Sequence, residues 1–153
     1  MRSRTVRAAT LVLIFIGTTI PIFSSAAGTG STPAAKYIIE KVVYHVDDMS
    51  AAREALFNIE NQLAASPKTK ISLVANGKGI YLLVSGEKDK YGEYLLAIQR
   101  LSVQGVHFLA CNNSMKSRNI PATELIKEAE VIPSGVVELT RMQLMEQFAY
   151  IKP

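Results

Sequence analysis

The sequence predicts an α/β fold built on a mostly parallel sheet of about five strands, with helices covering both faces. Two observations carry that expectation. Short apolar runs rich in β-branched residues alternate with longer segments whose apolar residues recur every three or four positions, the pattern of successive βαβ crossovers. The strand-like runs are apolar at consecutive positions, as suits strands buried on both sides. No internal repeat or heptad pattern interrupts the alternation.

The elements follow in order. Within residues 37–46, the run Val42-Val43-Tyr44 suits a buried strand. Asp47 and Asp48 come next, either able to cap a helix. Ala52, Leu56, Ile59 and Leu63 then share one face of an amphipathic helix, which Ser66-Pro67 stops. Ile71-Ser72-Leu73-Val74-Ala75 is a second strand, and Asn76-Gly77 turns the chain. Residues 80–84 fit a short helix or a short strand, because periodicity does not decide so brief a segment. Tyr91, Tyr94, Leu95, Ile98 and Leu101 line a helix face that Gly105 closes. Residues 106–110 form the third strand. Asn112 to Ser114 offers helix caps directly after Cys111, and residues 123–129 suggest a second short helical turn. Val131-Ile132 is the fourth strand. Pro133-Ser134-Gly135 leads into a helical face of Val136, Leu139, Met142, Leu144 and Met145, and Tyr150-Ile151 adds a last edge strand.

The N-terminus carries a separate signal. Arg2, Arg4 and Arg7 precede a stretch from residue 8 to residue 35 with no charged side chain, densest in apolar residues between Leu11 and Ile16. Pro21 and the small residues Ser25-Ala26-Ala27 follow, the order of a secretory signal peptide over residues 1–27, cleaved after Ala27 or Ala26. An uncleaved signal anchor is the competing reading; in either case the rest of the chain is expected outside the cytoplasm, periplasmic or secreted. Residues 28–36 are a flexible Gly, Ser, Thr, Pro and Ala tether, and residues 37–153 a single domain. Removing the three arginines leaves fourteen basic against thirteen acidic side chains, a net charge of +1. The basicity of the whole chain therefore belongs to its leader, and nothing remains that argues for nucleic acid as a partner. The membrane enters only if the leader stays.

One cysteine, Cys111, cannot form an internal disulfide. It falls where a strand ends and a helix begins, the place at which open α/β sheets hold ligands, and helix-start N–H groups there favour a thiolate. Lys116 and Arg118 add positive charge if their side chains fold back. A buried structural cysteine is the equal alternative. Gly77-Lys78-Gly79 lacks the glycine and Lys-Ser/Thr positions of a phosphate loop and reads as a turn. His45 and His107 have no metal-ligand spacing, although a ring reaching the cysteine is open. Met142 and Met145 read as core or subunit interface. No serine, histidine and acid set supports hydrolysis.

The stretch Cys-Asn-Asn-Ser-Met-Lys-Ser-Arg-Asn-Ile over residues 111–120 resembles the DsrE/DsrF-like family of sulfur-relay proteins. So do Lys41-Val42-Val43-Tyr44-His45-Val46, Val74-Ala75-Asn76-Gly77 and Val131-Ile132-Pro133-Ser134-Gly135-Val136. The resemblance implies a three-layer α/β/α domain, commonly a homo-oligomer of trimeric or hexameric form. It also implies that Cys111 takes up sulfane sulfur as a persulfide and passes it on, with Asn112, Asn113 and Ser114 stabilising the charged sulfur. Such a sulfurtransferase-like carrier needs no metal or organic cofactor; its partners are a sulfur donor and an acceptor protein or small thiol. The family's best-known relay members are cytoplasmic, whereas this chain carries an export signal and would belong with exported relatives. A non-catalytic oligomeric module of the same fold, binding a ligand or protein at the strand ends, is the alternative.

Overall fold

The structure, a computed structural model, describes residues 39–153; the leader, its cleavage site and the tether lie outside them. Strands β1 (Lys41–Val46), β2 (Lys70–Ala75), β5 (His107–Cys111), β6 (Ala129–Ile132) and β7 (Ala149–Ile151) form one sheet in the order β6-β5-β2-β1-β7. Every neighbouring pair is parallel. The sheet is flanked by α1 (Ala52–Ala65), α2 (Tyr94–Val103), α3 (Asn112–Ser117) and α4 (Gly135–Glu146). A two-residue-per-strand hairpin, β3 (Lys88–Asp89) and β4 (Gly92–Glu93), precedes α2. Among the described residues, no helix is long and apolar enough to cross a membrane.

Chain direction explains the layers. A parallel crossover is right-handed, so steps one way along a sheet put their helices on one face, and a step the other way puts its helix on the opposite face. The steps β1 to β2, β2 to β5 and β5 to β6 all run the same way. Accordingly α1, α2 and α3 share a core with Val42, Tyr44, Ile71, Leu73, Phe108 and Ala110. The step from β6 to β7 returns across the whole sheet. Its helix α4 buries Leu139 and Met142 against Val43, Val74, Leu109 and Ile132 on the other face. Three layers result, the second face covered by one helix.

The apolar spacing expected of the first helix is realised: Ala52, Leu56, Ile59 and Leu63 are all buried in α1. Asp48, not Asp47, makes the cap, its side chain accepting from Ser50 N–H at 3.0 Å to start a short 3-10 turn. The ambiguous segment is a 3-10 helix, Gly77–Leu83, that buries Ile80, Leu82 and Leu83.

Several local expectations change. Tyr91 is not on α2; it lies in the β3–β4 turn and is 65 % exposed, because Gly92 at φ +107° breaks the helical path before Tyr94. Residues 123–129 do not form one helical turn: a 3-10 turn ends at Glu124 and Ala129 already begins β6. The face expected on α4 is split, with Leu139 and Met142 buried while Leu144 and Met145 are 78 % and 77 % exposed beside Val136 and Val137. Asn112 to Ser114 are the first turn of α3 itself, and Cys111 occupies the cap position.

Candidate functional site

Cys111 closes β5, and Ile132 closes β6 beside it in register. After β5 the chain turns onto one face through α3; after β6 it turns onto the other through α4. Adjacent strands whose connections leave to opposite faces open a crevice at their C-terminal ends, and that is where Cys111 stands.

The two helix starts converge on its sulfur. Gly135 N–H, the first of α4, donates to Cys111 Sγ over 3.2 Å. The Ser114 hydroxyl and the backbone N–H groups of Ser114 and Asn113 lie near enough to favour the charged form of the sulfur. Cys111 is 4 % exposed and Ser114 8 %. Burial pushes the thiol up and is the largest single influence, but the hydrogen bonds from the Ser114 hydroxyl, Gly135, Ser114 and Asn113 together outweigh it. The thiol is left below its ordinary value, a bias toward the nucleophilic thiolate.

Glycine permits this approach. A Cβ on Gly135 would stand 3.1 Å from Asn76 Cβ, 3.2 Å from Val74 Cγ1 and 3.3 Å from Cys111 Cβ, so any side chain there would hold α4 away from the sulfur. The loop after β2 forms the next wall. Gly77 N–H donates to Ser114 Oγ at 2.9 Å, which leaves the Ser114 O–H for the sulfur. Gly79 packs so closely on the end of β1 that an added Cβ would lie 2.1 Å from Val46 O. The Gly77-Lys78-Gly79 segment is thus the close-packed start of the 3-10 helix Gly77–Leu83, where its residues suggested a turn.

Of the residues singled out beforehand, Ser114 and Asn113 are near enough to lower the thiol, and Asn112 has no such part. Lys116 is exposed, and Arg118 donates to Ser117 Oγ, so neither charge folds back. His107 begins β5, at the opposite end of the strand from Cys111. His45 does not contact the cysteine. Its Nε2 lies 2.9 Å from Asn76 Oδ1 and its Nδ1 2.7 Å from Tyr150 Oη. Asp47 pairs with Lys152 at 2.6 Å on the exposed β1–β7 edge, which holds its carboxyl below the usual range. Among the described residues, no group of three or more acidic, histidine or cysteine side chains is placed to hold a metal. Sequence reasoning missed Gly135 as a sulfur ligand and the Asn76-His45-Tyr150 array altogether.

The model of the DsrE/DsrF-like family matches residues 40–153. The chain belongs to that family. A solved structure described as a protein of unknown function, MTH1491 from Methanobacterium thermoautotrophicum, is 30 % identical to this DsrE/DsrF-like chain. That match covers 74 % of this chain and 99 % of the other, with a TM-score of 0.67. The ychN protein from E. coli shares the fold at 16 % identity, over 76 % of this chain and all of its own, with a TM-score of 0.62. No curated protein matches the chain. In this DsrE/DsrF-like fold the expected sheet, mostly parallel and flanked by helices, is present as five strands.

Proposed function

We propose that this DsrE/DsrF-like protein is an exported sulfur carrier that holds sulfane sulfur as a persulfide on Cys111 and passes it to a partner thiol. The observation that carries the reading is the hydrogen bond from Gly135 N–H to a sulfur set where α3 and α4 begin, with the Ser114 hydroxyl and the Ser114 and Asn113 N–H groups near enough to favour its charged form. Donors gathered around a buried thiol suit an anionic sulfur.

The step conserves atoms and electrons. The Cys111 thiolate attacks the terminal sulfur of a hydropersulfide R–S–SH, a new S–S bond forms, and the donor's own S–S bond breaks with its electron pair on the inner sulfur, which departs as R–S⁻. The transferred sulfur, now more acidic than a thiol, gives its proton to the departing thiolate, leaving Cys111–S–S⁻ and R–SH. In delivery an acceptor thiolate attacks the outer sulfur of the persulfide, and the Cys111 S–S bond breaks with its electron pair on Sγ. Export rests on the basic and apolar leader of residues 1–27. A homo-oligomer is supported by the exposed apolar side of α4, where Val136, Val137, Leu144 and Met145 lie together.

The test is direct. The purified protein is incubated with a hydropersulfide donor and analysed by mass spectrometry after digestion. One additional sulfur on the Cys111 peptide is expected, and none on Cys111→Ser. An unmodified Cys111 that also resists alkylation in the folded state would refute the carrier. The 4 % exposure of Cys111 favours that second reading, a non-catalytic oligomeric binding module in which Cys111 is core. On that reading Cys111→Ala preserves all function.

A further inference from the structure

The array of Asn76, His45 and Tyr150 has no part in holding Cys111 Sγ, yet it ends beside it. Asn76 occupies the cap position of the 3-10 helix Gly77–Leu83, where an asparagine ordinarily turns its side chain onto the helix start. Here it makes no such bond. Its Oδ1 faces His45 Nε2 instead, at 2.9 Å. With an oxygen there, Nε2 must carry the ring proton, so Nδ1 is the acceptor and the Tyr150 hydroxyl at 2.7 Å the donor. Both ring nitrogens and the amide oxygen are then committed. The amide nitrogen of Asn76, on a half-buried residue, hydrogen-bonds no described residue. The same point above Gly135 that lies 3.3 Å from Cys111 Cβ lies 3.1 Å from Asn76 Cβ, so the two side chains leave the backbone on either side of one seam.

We propose that Asn76 receives the second sulfur atom on Cys111 through its amide N–H group, with His45 and Tyr150 as positioning residues that fix the amide's orientation. The inference rests on the carrier reading above. Sγ already has its own donors in Gly135, Ser114 and Asn113. A sulfur bonded to Sγ lies about 2 Å farther out, past those groups, and it is the atom on which the negative charge ends after transfer. Asn76 brings to that side of the crevice a donor that nothing in the fold uses. The ligand class this selects is a small sulfane-sulfur donor whose transferred atom becomes anionic. The parallel pairing of β7 with β1 keeps Tyr150 against the ring.

The test compares two reactions of the same thiol in wild type, Asn76→Ala, His45→Ala and Tyr150→Phe. One is sulfur uptake from glutathione hydropersulfide, followed by mass spectrometry. The other is alkylation by neutral iodoacetamide at the same pH, which reads Sγ alone. Losing a hydrogen bond to a charged sulfur predicts uptake about tenfold slower in Asn76→Ala, with smaller losses in His45→Ala and Tyr150→Phe, and alkylation unchanged in all three. Tyr150→Phe removes only one hydroxyl from an edge strand and keeps the inference testable if Asn76→Ala fails to fold. Variants that take up sulfur at the wild-type rate overturn the role of Asn76 and leave the carrier standing. Uptake and alkylation falling in parallel also overturn it, since a purely structural array would act that way. A wild-type Cys111 that takes up no sulfur overturns the carrier and this inference together.

Discussion

Ser114→Ala separates what the fold needs from what the sulfur needs. The Ser114 oxygen accepts from Gly77 N–H at 2.9 Å, and its proton goes to Cys111. Removing it leaves the half-buried Gly77 N–H without an acceptor, which costs about 1–2 kcal/mol of stability. The thiolate also loses a charge-assisted hydrogen bond, worth about 1.5–3 kcal/mol. The largest influence that opposes burial is then gone, and the thiol rises from its lowered position. Below the midpoint of its titration, alkylation by iodoacetamide should slow about ten- to hundredfold. The pH dependence of stability gives a second readout with a definite sign. A thiol lowered in the folded state contributes stability that is fully present above its unfolded value and disappears as the pH falls through the lower folded value. Urea unfolding of the wild type should therefore show stability rising as the pH climbs through that interval toward the ordinary thiol value. In Ser114→Ala the rise should shrink. An alkylation profile that superimposes on the wild type would show that Ser114 serves the loop and not the sulfur.

Two glycine substitutions probe the approach of the surrounding elements. Gly135→Ala brings a methyl group to 3.1–3.3 Å of three neighbours; overpacking of this kind costs about 1–3 kcal/mol. If α4 retreats, its N–H leaves Sγ, and the iodoacetamide titration should move upward, by less than in Ser114→Ala. An unchanged titration would mean that Gly135 is required for packing only. Gly79→Ala places a methyl 2.1 Å from Val46 O, a backbone atom of β1 that cannot move without the strand. A loss of about 3 kcal/mol or more is expected, read as a fall in thermal midpoint; a stability within error of the wild type would mean that the 3-10 segment does not pack as described.

How far the sequence led differs between fold and site. The runs Val42-Val43-Tyr44 and Ile71 to Ala75 were legible because strands buried on both faces are apolar throughout, and α1 because Ala52, Leu56, Ile59 and Leu63 keep helical spacing. The hairpin of β3 and β4 was not, since strands of two residues have no periodicity. Tyr91 was assigned to α2 because it continues the spacing of Tyr94 and Ile98, and only the positive φ of Gly92 breaks it. Val136, Leu144 and Met145 looked like core by composition, but α4 lies on the sheet through Leu139 and Met142, and an apolar residue need not be inside. Cys111 stood out as the lone thiol at a strand end. Its partners did not: Gly135 is 24 residues away and looks like any turn glycine. His45 and Tyr150 are 105 residues apart and meet only because β7 pairs with β1, a strand order that local spacing does not contain.

One reversal of the chain accounts for both halves of the site. Had the last crossover continued in the direction of the earlier ones, its helix would have joined α1, α2 and α3 on their face, and its strand would have extended the sheet beyond β6. Cys111 would then have lacked the Gly135 N–H, and Tyr150 would have stood strands away from His45. Returning across the sheet instead sets the start of α4 against the sulfur at the β5–β6 crevice and delivers β7 to the free edge of β1. The donors on Sγ and the array behind Asn76 are therefore consequences of the same topological step. A perturbation confined to the β1–β7 edge, such as breaking the Asp47–Lys152 pair, should loosen Tyr150 and His45 while leaving α4 and Gly135 on the thiol. The two parts of the site can in that way be disturbed separately, although one turn of the chain builds them both.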